Sequence, residues 1–138
     1  MKKLYLFLIF VMLMISSTTT YANLPTKTEA TRENLLEDAV IDLLVKPMFA
    51  AVDDYYGTTY EIGSFCERVI EIKKLHHPGS WLFEAKIEFV TFTGPHNFMD
   101  IFTVTLKKDW ETEGQWVMQK YDVRKYDPKE NYECRSPA

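Results

Sequence analysis

Between Trp81 and Thr93 the chain alternates with a period of two: Phe83, Ala85, Ile87 and Phe89 fall on one side, Glu84, Lys86 and Glu88 on the other. This pattern describes an extended strand with one buried and one solvated face. Phe102, Val104 and Leu106 repeat it against Thr103, Thr105 and Lys107, beyond a turn at Gly94-Pro95-His96-Asn97. Another strand is predicted from about Glu67 to Leu75, carrying Val69, Ile70 and Ile72 and closed by the turn His76-His77-Pro78-Gly79-Ser80. A fourth runs from Trp116 to Tyr126, entered through a turn at Glu111 to Gln115, with Val117, Tyr121 and Val123 inward. The tail from Asp127 is polar except for Tyr132.

Ahead of the strands the period changes to that of a helix. Leu35, Leu36, Ala39, Val40, Leu43 and Leu44 recur at helical spacing, and Met48, Ala51, Val52 and Tyr55 extend the stripe. Glu37, Asp38, Asp42 and Asp53 fall largely off that face, towards water. Thr31 is placed to accept from a free first-turn N–H, and Glu33 suits the positive helix end. Gly57 supplies the left-handed residue that stops the helix. Pro47 lacks an N–H and crowds the carbonyl four residues back, so either the helix kinks there or a second one begins. A helix followed by four sequential strands packs most economically as an α+β domain, an N-terminal Pro-kinked helix against a four-stranded antiparallel meander, cystatin-like or NTF2-like. A β-sandwich would need more strands than remain.

The first 22 residues have a different character. Lys2 and Lys3 precede an apolar run from Leu4 to Ile15, and polar, small residues lead up to Ala22. This is the layout of a secretory signal peptide, with cleavage expected after Ala22. Twelve apolar residues make only about 18 Å of helix against a bilayer core of roughly 30 Å, so no stable membrane span is expected. Residues 23–31, with Pro25, read as a flexible leader, and residues 32–138 as one domain. Without the signal the chain carries 14 Lys and Arg against 20 Asp and Glu, a balance that disfavours nucleic acid as a partner. The implied location is secreted or on the cell-wall side of the membrane.

In that compartment the two cysteines, Cys66 and Cys134, read as a disulfide. A meander sends its turns to alternate ends, and strand one starts, and strand four finishes, at the end that carries the Gly94 turn. Both cysteines therefore share that end. The same logic separates His96 from His76 and His77 by the length of a strand, so one metal site cannot collect all three; the adjacent pair reads as a solvated turn, and no metal or cofactor is expected. Trp81, Trp110 and Trp116 share the His76 end, where they are expected to cap the core rather than form a carbohydrate platform.

The segment Thr91 to Asn97 looks like more than scaffold. Pro95 fixes one backbone angle, Gly94 and Asn97 permit left-handed geometry, and the tip presents the His96 imidazole. Asp100, four residues on, could orient or pair with His96 if the strand bends back, which would be a general-base arrangement. Asp53-Asp54 beside Tyr55-Tyr56 could form a cation or sugar site, or the solvated edge of a helix end. The candidate contact residues are thus His96, Asn97, Asp100, Tyr55 and Tyr56. No Ser or Cys stands beside a base as a nucleophile, and no phosphate loop or zinc spacing occurs, so no catalytic residue is assigned.

Tyr55-Tyr56-Gly57, Tyr60, the Ile-rich strand, Phe83 with its alternation, and above all Thr91-Phe92-Thr93-Gly94-Pro95-His96-Asn97 resemble a family of small exported proteins from Gram-positive spore-formers, numbered 3888 among domains of unknown function. The resemblance covers about Leu35 to Leu106 and implies export and a single domain, with no activity attached. The family pattern continues past the tip with a Pro-rich, Tyr-Gly extension, whereas here Phe98 and Met99 alone precede Asp100.

These readings point to a secreted or envelope-associated, non-enzymatic binding or regulatory module, whose partner is a protein or small ligand outside the cytoplasm. The alternative is a small NTF2-like hydrolase or isomerase with a pocket between helix and sheet. An apolar inward face of Phe83, Ala85, Ile87, Phe89, Phe102, Val104 and Leu106 favours the first. The export reading has a direct check: intact-mass measurement of protein recovered from the culture medium or cell wall is expected to give a chain starting at Asn23, and full-length protein in the membrane fraction would contradict it.

Overall fold

The computed structural model describes residues 28–58 and 61–138; the signal peptide and most of the leader read from the sequence lie outside the described residues. One helix, α1 (Arg32–Tyr56), precedes four strands, β1 (Ile62–Lys74), β2 (Phe83–Thr93), β3 (Asn97–Lys108) and β4 (Trp116–Lys125). The strands form one antiparallel sheet in the order β1-β2-β3-β4. This is the expected α+β meander, an arrangement compatible with cystatin-like and NTF2-like folds.

Both helix ends follow the chain's capping chemistry. The Thr31 Oγ1 accepts from the Asn34 N–H at 3.2 Å, and Gly57 at φ 75° donates its N–H to the Asp53 carbonyl at 2.8 Å. Between them α1 runs through Pro47 as a single 25-residue element. Pro47 leaves the Leu43 carbonyl without its helical donor, but both residues line an open groove where water can take that role.

Leu44, Met48, Ala51 and Val52 from the helix pack against Ala85, Ile87, Phe89, Phe102, Val104 and Leu106, all at most 1 % exposed. The stacked rings of Phe89 and Phe102, 5.4 Å apart, sit at its centre. Phe83 is only partly buried and stacks on Trp116 at 6.4 Å.

Three expectations are corrected. The apolar stripe of α1 is fully buried only from Leu44 onward, with Val40 partly buried against the core, while Leu35, Leu36 and Leu43 are 50 %, 55 % and 74 % exposed. At roughly 37 Å the helix is long enough for its first turns, with Leu35 and Leu36, to run past the buried interface, whereas Leu43, next to the buried Leu44, turns towards an open groove beside Trp116 to Met118. Those turns are held by charge instead, since Arg135 pairs with Glu37 at 3.1 Å and Asp38 at 2.6 Å, carboxylates read from the sequence as solvated. Second, β1 starts at Ile62, five residues early, and Ile70 and Ile72 are exposed because α1 does not cover that end of the edge strand. Third, Val117 points outward, 41 % exposed. The register of β4 slips where Thr105 pairs Lys120 and Leu106 pairs Met118, so Gln119 is extra and the inward set becomes Trp116 and Met118, then Tyr121 and Val123.

The tail is the largest departure from a polar, trailing end. Residues 126–134 fold back as a belt over the sheet face opposite α1. Tyr126, Tyr132 and Cys134 cover a second apolar cluster formed by Cys66, Val90 and Ile101 with Phe65 and Phe98. The Tyr132 hydroxyl donates to Glu88 at 2.9 Å, and the guanidinium groups of Arg68 and Arg124 lie over its ring at 5.5 and 6.0 Å. Cys66 and Cys134 are joined as expected, closing a 68-residue separation, and Arg135 then reaches the helix beyond the β1 edge. Replacing both cysteines by serine is expected to lower stability by roughly 2–4 kcal/mol in denaturant unfolding. It should also raise hydrogen exchange first in the belt, whereas uniform loss of protection would show that the belt has no independent looseness.

Candidate functional site

The helix C-terminus arrives at the end of the sheet that carries the Gly94 turn, which gathers most of the candidate residues. Tyr56, the last residue of α1, points its hydroxyl between Thr91 Oγ1 at 3.0 Å and Asp100 Oδ2, to which it donates at 2.5 Å. Thr91 belongs to β2 and Asp100 to β3, and both are at most 1 % exposed. From the neighbouring strand Lys125 brings its ammonium to 2.9 Å from Asp100 Oδ1 and 3.2 Å from Oδ2. Its own side chain is 78 % exposed, so it covers the carboxylate from the solvent side.

The electrostatics follow from this packing. Burial pushes the Tyr56 hydroxyl far above its ordinary value, and the Asp100 carboxylate reinforces the shift. The Lys125 ammonium is raised by its hydrogen bond to Asp100. Tyr55 is half exposed beside this cluster, its ring edge-on to Tyr56, Phe102 and Tyr121 at 4.8, 5.4 and 6.4 Å. Tyr121 in turn donates its hydroxyl to Asp54 at 2.6 Å.

The hairpin tip is built differently. Gly63 of β1 lies opposite Phe92, and a Cβ there would meet the Phe92 ring at 2.4 Å; glycine makes room for the ring across the strands. On Phe92 stacks the exposed imidazole of His96, at 5.0 Å, with Phe65 edge-on at 6.0 Å. The left-handed positions of the tip are Gly94 and His96, at φ 53° and 61°. Asn97 starts β3 opposite Thr93, with an exposed side chain. The His96 N–H also donates to the Gly94 carbonyl at 2.8 Å, closing a tight turn centred on Pro95.

Of the five candidates, Tyr56 and Asp100 come together, Tyr55 stands at their rim, and His96 and Asn97 occupy the adjacent tip. His96 and Asp100 do not pair: the carboxylate is engaged with Tyr56 and Lys125, and the imidazole with aromatic rings. The sequence reading missed Thr91 and Lys125. Thr91 lay within the highlighted segment but carried no chemical signal. Lys125 meets Asp100 only because the Gln119 slip sets their register, which composition does not announce.

The opposite end is held by Asp109, 4 % exposed, which accepts from the Trp110 backbone and pairs with Lys107 at 2.9 Å and His76 at 3.3 Å. Trp116 helps cap the core, but Trp81 and Trp110, expected to do so, are 80 % and 68 % exposed. The Trp110 ring lies tilted against His76 at 4.4 Å and Trp81 lies under Lys74 at 5.9 Å; both rings belong to loops that extend past the strand ends.

Architecturally the chain is a small α+β domain, one helix on an open four-stranded sheet, with a disulfide-fastened belt behind. It belongs to the family described as a protein of unknown function (DUF3888), whose model matches residues 36–124, from the exposed first turns of α1 to the end of β4. No curated protein and no solved structure matches the chain.

Asp109 yields a pH prediction. The Lys107 ammonium, with the Trp110 N–H and His76, lowers its carboxyl to about 2. A lowered folded-state value means stability that is complete above the unfolded value near 4 and lost as pH falls towards 2. Urea midpoints measured at pH 7 and pH 3 are expected to differ more for the native chain than for Asp109→Asn; equal differences would contradict the assignment.

Proposed function

We propose that this protein is an exported, non-enzymatic binding module that acts at or beyond the cell envelope, with its contact surface at the Gly94 end. The observation that carries the reading is the convergence there of an exposed, ring-supported imidazole at His96, the Asn97 amide, the half-exposed Tyr55 and the Tyr56–Asp100–Lys125 cluster. Two things support binding over a helix–sheet enzyme pocket: the centre of the interface between α1 and the sheet is packed with apolar side chains, with an open groove only towards Trp116 to Met118, and the polar groups of the Gly94 end sit at its rim. Export is supported by the signal-like first 22 residues and by the Cys66–Cys134 bridge, which persists in oxidising compartments. Among the described residues no helix is long and apolar enough to cross a membrane.

The test uses His96→Asn, because asparagine tolerates the left-handed backbone at this position while removing the ring. The variant is expected to stay within about 1 kcal/mol of the native chain in thermal or denaturant unfolding, yet fail to restore whatever phenotype deletion of the gene produces. A stable variant that complements fully removes His96 from the contact surface. A loss of function in proportion to lost folded protein makes His96 a turn residue only.

A further inference from the structure

The Asp100 carboxylate is almost fully buried, yet its charge is balanced by a group that is not. Lys125 closes β4 directly across from Asp100, its side chain is 78 % exposed, and of that side chain the ammonium is what reaches the carboxylate. Oδ2 accepts from both the Tyr56 hydroxyl and the Lys125 ammonium, the latter at 3.2 Å, whereas Oδ1 makes no aligned hydrogen bond and lies 2.9 Å from the same ammonium. A buried carboxylate cannot go uncompensated without a large penalty. A lysine at the end of an edge strand is a replaceable source of compensation: swinging it into water breaks little packing and restores its full hydration. The half-exposed Tyr55 ring stands at the same rim, so an incoming aliphatic chain would have an apolar surface to lie on.

We propose that Asp100 is a recognition carboxylate for a primary alkylammonium group, with Lys125 as its resident stand-in and Tyr55 as the apolar support for the ligand's chain. The class of ligand is read from the occupant: a primary ammonium on a flexible methylene stem already fits. The same group is carried by a free alkylamine or by a lysine of a partner protein. This assignment rests on reading the Gly94 end as a contact surface, but its test needs no partner and no phenotype, so the two can fail separately.

The experiment is chemical rescue in the full exported chain. Lys125→Ala leaves Asp100 buried and unpaired and is expected to lower the Tm by several degrees. Adding n-propylammonium chloride should recover roughly 4 °C, saturably, when the amine exceeds its Kd about tenfold. The native chain should respond at least tenfold more weakly, because Lys125 competes. Tetramethylammonium chloride and sodium chloride should give no recovery at equal ionic strength, since neither offers an N–H to the carboxylate. The double variant Asp100→Asn, Lys125→Ala, which removes both charges, should not respond to the amine. Rescue by an acetylated, amidated lysine tripeptide at lower concentration than propylammonium places the ammonium on a protein partner, and the reverse order places it on a free amine. The proposal is overturned if Lys125→Ala shows no saturable recovery, if tetramethylammonium rescues equally, or if the native chain responds as strongly as the variant.

Discussion

A sheet has two faces, and the described residues supply one helix to cover them. α1 fills one side through Leu44, Met48, Ala51 and Val52, which leaves Val90 and Ile101, alternating with the core residues Phe89 and Phe102, pointing the other way. Exposed together with Phe65 and Phe98 they would form an apolar patch on a sheet that also has open edges. The belt answers this constraint. Tyr126 and Tyr132 are laid over the patch, and the disulfide fixes the belt where its few contacts would otherwise compete with the entropy of a terminal segment. Past Cys134, Arg135 ties the belt to Glu37 and Asp38 on the exposed part of α1, while the Glu37 carboxylate also accepts the Val69 N–H of edge strand β1 at 2.8 Å. One covalent link thus secures the back face, an edge and the unpacked turns of the helix.

The same architecture explains why the polar residues collect at one end. The α1 C-terminus and the β2–β3 hairpin meet where the apolar core ends, so the side chains there must satisfy buried backbone and face water within a few ångströms. Thr91 lies on the inner face of β2 and bonds at 3.2 Å to the Asp100 carbonyl where the pairing of Val90 and Phe92 slips. A bulge beside a cluster of polar side chains re-aims them without lengthening either strand. The other end lacks that convergence: its loops are held by Asp109 and leave Trp81 and Trp110 in solvent.

What could be read from the sequence was what local chemistry dictates. Thr31 and Gly57 bracket the helix because capping needs only neighbouring residues, and the alternation from Phe83 to Leu106 identifies the inner face because period two has one meaning. The two-ended logic of a meander brought Cys66 and Cys134 together without any contact being known. What escaped depended on non-local packing. The outward turn of Val117 follows from one extra residue, Gln119; the exposure of Leu35 and Leu36 follows from where the sheet stops; and the folded tail follows from an apolar patch that exists only once β2 and β3 are paired. For the candidate site the individual residues were legible, but the partnership of Asp100 with Tyr56 and Lys125, in place of His96, was set by register and by the arrival of the helix end.

That partnership also bears on what the cluster is suited to do. A group that moves protons in catalysis works best when its pKa lies near the working pH. Here burial and the Asp100 carboxylate drive the Tyr56 hydroxyl upward, and the same carboxylate raises the Lys125 ammonium, so both stay protonated around neutrality. Tyr56 is then a permanent donor and Lys125 a permanent cation, both directed at one carboxylate. Such a set holds charge in place rather than shuttling it.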